Sequence, residues 1–270
     1  MMILDEKDFK KLATFIHSNY GIDLHQKRQL IEGRLSASIS GKGFNSFEEY
    51  VSFIIQKGTK TDIDFMLNKL TTNYTFFMRE ELHFDYLKTT VLPYLVKHKK
   101  DKTINIWSAG CSSGQEPYTI SIILKEFFGA QADQWDTRIL ATDISQNVLA
   151  TAKKGVYGAD SIASLPDEWK AKYFHSTPNG SQYTVKDVLK KNVIFKTFNL
   201  MDPIQFKTKF DVVFCRNVMI YFDTPTKDAL VERFYDATAP GGYLFIGHSE
   251  TVNKSTTRYK YLMPAMYRKA

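Results

Sequence analysis

From Thr103 onward, short β-rich runs alternate with helical segments, and no other feature of the chain constrains its fold as much. "TINIWSA" precedes a helix running through Leu124, "TRILATDI" one from Ser145 through Lys153, "FDVVFCRN" one around Asp228 to Ala237, and "GGYLFIGH" follows near the end. Strands joined through helices run parallel, and the helices then cover both faces of the sheet. The expected class is α/β, a doubly wound, Rossmann-like domain. Between Gly155 and Asn199 the alternation breaks. There the turn-rich "TPNGSQY", the alternating "QYTVKDV" and the strand-like "NVIFKTFN" predict a small antiparallel β-subdomain inserted over about 155–198.

The N-terminal part differs. Phe9, Leu12, Phe15 and Ile16, then Leu24, Ile31 and Leu35, then Phe47, Tyr50, Val51 and Ile54, then Ile63, Met66, Leu67 and Leu70 recur at helical spacing, with no convincing strand among them. Asn45 or Ser46 is placed to cap the third helix, with Glu48 and Glu49 favourable in its first turn. A small all-α domain is expected over 1–72. A connector and helix over 73–102 follow, with Pro93 kinking or ending that helix, and the α/β domain fills 103–270.

Composition bounds the partners. Of 270 residues, 43% are hydrophobic and 24% charged, as in an ordinary soluble globular protein. No run of about 18 apolar residues is present. "MMILDEKDFKKL" lacks the apolar stretch of a signal peptide, so a cytoplasmic location is expected. Cys111 and Cys215 stand far apart and read as small buried hydrophobes, and the histidines offer no ligand spacing, so no metal is expected. A net charge of +7 and a pI near 9.1 favour an acidic partner. The cations are spread along the chain without a dense block, which argues against nucleic acid.

In an open parallel sheet the ligand crevice lies at the carboxyl ends of the strands. After the first strand, Gly110 and Gly114 in "WSAGCSSGQEPYTISII" permit a tight turn and close backbone approach, and a helix N-terminus follows. Neither the G-x-G-x-x-G fingerprint nor a G-K-[ST] phosphate loop is present. Glu116 would repel a phosphate and favour a cation; equally, it suits a first helical turn. Asp143 closes the second strand, where a carboxylate either accepts the vicinal hydroxyls of a ribose or caps the following helix. Asn199 offers its amide to an adenine edge or is a turn asparagine. Arg216 and Asn217 end the strand in "FCRNVMIYF", and the Tyr221 hydroxyl follows. Together these specify a ribonucleoside with a cationic rather than phosphorylated appendage, and S-adenosylmethionine is such a molecule.

The chain resembles the chemotaxis receptor glutamate methyltransferases, the CheR family, in ordered motifs: "NYTFFMRE", "SAGCSSGQEPYTI", "ATDIS", "KKGVY", "FNL", "FCRNVMIYF" and "GHSE". The resemblance covers essentially the whole chain. It implies a helical N-terminal domain joined to an S-adenosylmethionine-dependent methyltransferase domain with a β-subdomain insertion. It also implies methyl transfer to glutamate side chains on the cytoplasmic helices of chemoreceptors, giving methyl esters and S-adenosylhomocysteine. By the same resemblance Asn73, Thr75 and Arg79 reach the cofactor, Glu116 and Asp143 contact its amino-acid and ribose parts, Asn199 and Leu200 bound the adenine, and Arg216 and Asn217 line the cleft. Arg79 and Tyr221 are placed near the transferred methyl. Gln115 and Met78 depart from the family's usual glutamate and phenylalanine.

A glutamate carboxylate is ionised at neutral pH, so its attack on a sulfonium methyl needs no general base and the enzyme's task is positioning. Arg79 suits bidentate binding of a carboxylate, or else ties domains together. In "HQKRQLIEGRL", Lys27 and Arg34 share a helix side with Arg28 nearby, either docking an acidic receptor helix or forming a solvated face. Some members of the resembled family add a receptor C-terminal peptide as a strand to the β-subdomain, and residues 155–198 do not say whether this chain does. A monomer is expected. A binding-only fold would be expected to lose cleft residues, yet Arg79, Glu116, Asp143, Asn217 and Tyr221 are all present. The N-P-P-[YF] motif of amino-methylating DNA enzymes is absent, "MDPIQF" being the nearest approach.

Overall fold

The computed structural model describes residues 2–270, which form two compact units. The first holds the chain up to Asn73 together with Tyr221–Thr226; the second holds Tyr74–Ile220 and Lys227–Ala270.

In the first unit, α1 (Glu6–Tyr20) starts where the Asp5 side chain accepts the Asp8 N–H, and stops at Gly21, whose φ of 70° is the left-handed turn-off that glycine adopts without strain. After α2 (Arg28–Gly41), α3 (Phe47–Lys57) is capped by Ser46 and α4 (Lys60–Leu70) by a reciprocal Thr59–Asp62 capping box. The helical stripes of the sequence become the core, with Leu12, Ile16, Ile31, Leu35, Val51 and Met66 fully enclosed. Each such side chain contributes about 1.5–3 kcal/mol of burial. Leu24 is also buried but precedes α2. The membership of Tyr221–Thr226 is invisible in the sequence. Phe222 forms a β-bridge with Ile22, the Tyr221 carbonyl accepts the Asp23 N–H at 2.8 Å, and the His17 Nε2 lies 2.9 Å from the Asp223 Oδ2.

The second unit begins with a continuous helical stretch, α5 (Leu82–Tyr86), a π-helical turn (Leu87–Val91) and α6 (Leu92–His98). Pro93 sits in the first turn of α6, and the π turn just before it widens the helix where an ordinary helical amide ladder would be broken. The alternating part then runs β1 (Ile106–Ala109), α7 (Gln115–Phe128), β2 (Ile139–Asp143) and α8 (Gln146–Lys154). Next come β3 (Val156–Gly158), α9 (Asp167–Tyr173), β4 (Phe174–Ser176), β5 (Gln182–Val185) and α10 (Asp187–Lys190). The chain closes with β6 (Val193–Thr197), β7 (Phe210–Cys215), α11 (Thr224–Ala237), β8 (Thr238–Ile246), β9 (Lys260–Met263) and β10 (Met266–Arg268).

The main sheet has seven strands in the order β6-β2-β1-β7-β8-β10-β9. From β6 to β8 all neighbours are parallel, and β10 is antiparallel to both β8 and β9. Every residue of β1 and β7 is buried, as a parallel sheet covered on both faces requires. Strand order reverses between β1 and β7, so the crevice opens at the carboxyl ends of β1, β2 and β7. Cys111 and Cys215 are buried and free, and burial pushes both thiols well above their ordinary value.

One boundary needs correction. The small antiparallel sheet exists, in the order β3-β5-β4, but its last strand ends at Val185. "NVIFKTFN" instead supplies β6, which pairs parallel with β2 from Ile139–Val193 to Asp143–Thr197 and forms an edge of the main sheet. An edge strand has one solvated side, and β6 is largely exposed after Val193, so its pattern imitates a hairpin strand.

Candidate active site

At the end of β1 the chain must turn sharply. Gly110 has φ 81°, and a Cβ placed there would lie 2.4 Å from the Val218 Cγ2, so only glycine lets the loop after β7 come this close. The Gly110 and Cys111 amides donate to the Thr142 carbonyl, and the Ser112 N–H donates to the Asp143 Oδ2 at 2.8 Å, fastening the turn to the end of β2. Asp143 also accepts the Ser145 N–H at 3.0 Å, while Ser145 itself caps α8. The capping role considered for Asp143 therefore belongs to its neighbour. The Ser112 hydroxyl is buried without a hydrogen-bond partner.

Beside this turn lies a buried ion network. Arg216, with its side chain 2% exposed, sits between two acids. Its Nε and Nη2 donate to the Glu80 Oε2 at 3.2 and 3.0 Å, its Nη1 donates to the Glu116 Oε2 at 3.1 Å, and its Nη2 also donates to the Arg79 carbonyl. Glu116 accepts in addition the Ser108 hydroxyl at 2.6 Å. The other Glu80 oxygen accepts the Asn217 Nδ2 at 3.1 Å and the His248 N–H at 3.2 Å. Burial opposes the charge on Glu80, but Arg216, the Asn217 amide and the His248 N–H outweigh it and hold the carboxyl below its ordinary value. For Glu116 burial wins over Arg216 and Ser108, and its carboxyl is pushed up.

A third acid, Glu250, is buried behind the loop. Its Oε2 accepts the backbone N–H groups of Asn217 and Gly247, and its Oε1 accepts that of Ile220 at 3.1 Å. Burial raises its carboxyl against these bonds. His83 packs beside Glu80 and His248, fully enclosed, with neither ring nitrogen hydrogen-bonded. Burial, reinforced by Arg216, lowers its pKa to about 3, so it is neutral. Glu80, His83 and His248 could in principle gather a metal ion, but both Glu80 oxygens are already engaged and the Arg216 guanidinium adjoins them.

The remaining expected site residues fall as follows. Arg79 is half-buried; its Nη1 donates to the Tyr74 carbonyl at 2.6 Å and its guanidinium lies 5.9 Å from the Tyr74 ring. Thr75 is half-buried, and Leu200 is buried after β6. Asn199 Oδ1 accepts the Met201 N–H at 3.0 Å, so its side chain shapes its own turn. Asn73 and Tyr221 belong to the first unit: the Asn73 amide donates to Asn68, and the Tyr221 hydroxyl donates to the Thr72 carbonyl and accepts its N–H. Of the basic residues, Lys27 is exposed and Arg28 lies 3.7–3.8 Å from Glu6 and Glu32. Both line a depression of roughly 550 Å³ at the start of α2. Arg34 differs, because its guanidinium donates to the Leu70 carbonyl at 2.7 Å and to the Thr72 hydroxyl at 3.0 Å, closing the C-terminal end of α4.

Glu80 and Glu250 were passed over in the sequence although each ends a quoted motif, "MRE" and "GHSE". Their donors lie far away along the chain, and only the fold brings them together.

The CheR methyltransferase all-alpha domain matches residues 7–71, and the CheR methyltransferase SAM binding domain matches residues 73–267. The chain belongs to the CheR methyltransferase family. A chemotaxis protein methyltransferase of Borreliella burgdorferi is 42% identical over 271 residues, covering 98% of this chain and 95% of that protein. A probable chemotaxis protein methyltransferase of Rhizobium etli is 37% identical over 268 residues, covering 94% and 100%. A chemotaxis protein methyltransferase of Salmonella typhimurium is 31% identical over 273 residues, covering 98% and 91%.

S-adenosylmethionine is the family's cofactor, and the residues of the second unit fit it. Two carboxylates flank a single guanidinium at the end of β1 and β7, an arrangement that suits a zwitterionic, cationic tail and repels a phosphate. The buried, unpartnered Ser112 hydroxyl is a hydrogen-bonding group for a ligand to satisfy.

Proposed function

We propose that this CheR-family methyltransferase modifies glutamate side-chain carboxylates on the cytoplasmic helices of chemoreceptors, acting in the cytoplasm as a protein-glutamate O-methyltransferase. The relatives named above are chemotaxis protein methyltransferases, which supports the process; the choice of a glutamate carboxylate follows the family resemblance, and the site is compatible with it.

The observation that carries it is the state of the buried acids. Glu80, Glu116 and Glu250 each accept hydrogen bonds from fixed N–H or O–H donors, so none of them is poised to remove a proton. An amine or hydroxyl nucleophile would need that proton removed, whereas a glutamate carboxylate arrives ionised. When bound, S-adenosylmethionine would supply a sulfonium methyl for a carboxylate oxygen to take, with S-adenosylhomocysteine as the leaving product. The protein's contribution is orientation, which accounts for several kcal/mol of such a barrier.

In this reading Glu116, Asp143, Arg216 and Asn217 hold the cofactor with Asn199, Leu200 and Thr75. Arg79 holds the reacting carboxylate: among the described residues no acid lies within salt-bridge distance of it. The roles of Asn73 and Tyr221 rest on the family resemblance alone. Among the described residues no helix is long and apolar enough to cross a membrane. Lys27 and Arg28 are the cations proposed to meet the receptor helices.

The test is incubation with methyl-labelled S-adenosylmethionine and receptor-containing membranes. Label released as methanol by mild base marks a carboxyl ester. Base-stable label, or label confined to another substrate, would reject the assignment.

A further inference from the structure

We propose that Glu80 is a positioning residue of the methyl-transfer site: it sets the Arg216 guanidinium and the Asn217 amide in the attitude in which they meet the amino-acid end of the cofactor. This rests on the reading of Arg216 and Asn217 as cofactor residues given above.

The geometry is that of a built clamp. Donors converge on Glu80 from separate parts of the second unit: Nε and Nη2 of Arg216 on Oε2, and Nδ2 of Asn217 with the backbone N–H of His248 on Oε1. The loop after β7 and the loop after β8 are thereby fixed to the segment before α5. Every donor is an N–H, so the position requires an acceptor on both oxygens, which only a carboxylate offers. The Arg216 side chain is 2% exposed and Glu80 13%, so these bonds compete little with water.

The backbone points the same way. Glu80 has φ 57° and Met78 φ 60°, the left-handed region that non-glycine residues seldom occupy. Such conformations are strained and persist where surrounding structure holds them. Here the outcome of the unusual turn is that the Arg79 carbonyl and the Glu80 carboxylate reach the same guanidinium. Arg216 then has Nη1 alone directed at Glu116, the acid beside the first glycine turn. Glu80 thus decides how Arg216 is shared between the two carboxylates. Without it, the guanidinium has only Glu116 as a charged partner and is free to rotate about it, and Asn217 loses the acceptor that orients its amide.

Glu80→Gln is nearly isosteric and replaces one acceptor oxygen by a donor that faces N–H groups. Glu80→Asp keeps the charge on a side chain one methylene shorter. Both are made in the full chain, with circular dichroism and a thermal melt to establish the folded fraction. Binding of S-adenosylmethionine and of S-adenosylhomocysteine is measured by calorimetry, well below the melting transition. The expected result for Glu80→Gln is a Kd raised about tenfold or more, equivalent to ~1.4 kcal/mol, with the KM for receptor unchanged. Glu80→Asp is expected to fall between it and the parent. Wild-type cofactor affinity in the folded Glu80→Gln protein overturns the proposal even if the melting temperature drops, because a structural tie alone would do that. If Glu80→Gln does not fold, wild-type affinity in Glu80→Asp overturns it equally. Arg216→Ala separates the two ideas. Undiminished cofactor binding by that variant rejects the cofactor role of Arg216 itself, whereas weakened binding there with normal binding in Glu80→Gln rejects only the positioning role.

Discussion

The Glu250 Oε2 accepts the backbone N–H of Asn217 at 2.9 Å, and through it a buried acid near the end of the sheet holds the loop that ends β7. Asn217 has φ 59°, a left-handed bend that asparagine adopts more readily than most non-glycine residues, and the same carboxylate also receives the Gly247 and Ile220 amides. Glu250→Gln places an NH2 group against donors and leaves at least one buried amide unpaired. The expected cost is about 1–3 kcal/mol, read as a lower urea midpoint with an unchanged slope. A midpoint equal to the parent's would mean that the loop is held by its packing instead.

His83 gives the protein a defined acid sensitivity. Its pKa is lowered from 6.5 to about 3, by burial first and then by Arg216. The unfolded chain therefore takes up a proton below about pH 6.5 that the folded chain refuses, and stability falls as pH drops toward 3, by at most ~1.4 kcal/mol per pH unit for this group. Neither ring nitrogen is hydrogen-bonded, although Nδ1 lies 3.5 Å from the Glu80 Oε2, so His83→Leu sacrifices no hydrogen bond. Urea unfolding at several pH values should show a shallower acid decline in that variant. Superimposable pH profiles would show that the imidazole does not titrate as its surroundings dictate.

What the sequence made legible followed from local physics. The strand-turn-helix at Ser108–Glu116, the helical stripes before Leu70 and the cap at Ser46 are each set by residues a few positions apart, and all appear in the structure. The glycine turn was readable for the same reason, whereas the cap considered at Asp143 falls on Ser145. Glu80 and Glu250 were not, because an acid's role here depends on donors brought by other strands, and their own neighbours in sequence contain no sign of them. β6 was misplaced because a half-exposed edge strand beside a real antiparallel insertion carries the insertion's pattern. The return of Tyr221–Thr226 to the helical unit was hidden for the opposite reason: nothing in "YFDTPT" marks a segment that leaves one unit for another.

Lys27 and Arg34 share a helical spacing but not an environment. Lys27 is exposed, while the Arg34 guanidinium is spent on the Leu70 carbonyl and the Thr72 hydroxyl. Lys27→Glu should leave the unfolding midpoint within about 0.5 kcal/mol of the parent's and weaken receptor binding, with a reduced dependence on salt. Arg34→Ala should instead cost roughly 1 kcal/mol of stability through its lost hydrogen bonds to the end of α4. Receptor affinity measured over a salt series, beside urea unfolding, separates them. An identical binding loss in both variants at equal stability would restore Arg34 to a docking surface.

Arg79 is held by one nitrogen and lies beside an aromatic ring: its Nη1 donates to the Tyr74 carbonyl at 2.6 Å, and Tyr74 is exposed. A guanidinium fastened this way keeps a planar face with further N–H donors at fixed angles, which suits two oxygens of one carboxylate. Lysine at this position preserves the charge and loses the fork. Arg79→Lys should therefore retain the unfolding midpoint and lose about tenfold or more in kcat/KM for receptor methylation, a transition-state loss of ~1.4 kcal/mol or more. Separate kcat and KM values add a further reading. A fall in kcat places the guanidinium on the reacting carboxylate, whereas a rise in the KM for S-adenosylmethionine alone places it on the cofactor's own carboxylate. Normal receptor methylation by Arg79→Lys would remove Arg79 from the site altogether and leave it as a tie to the Tyr74 turn.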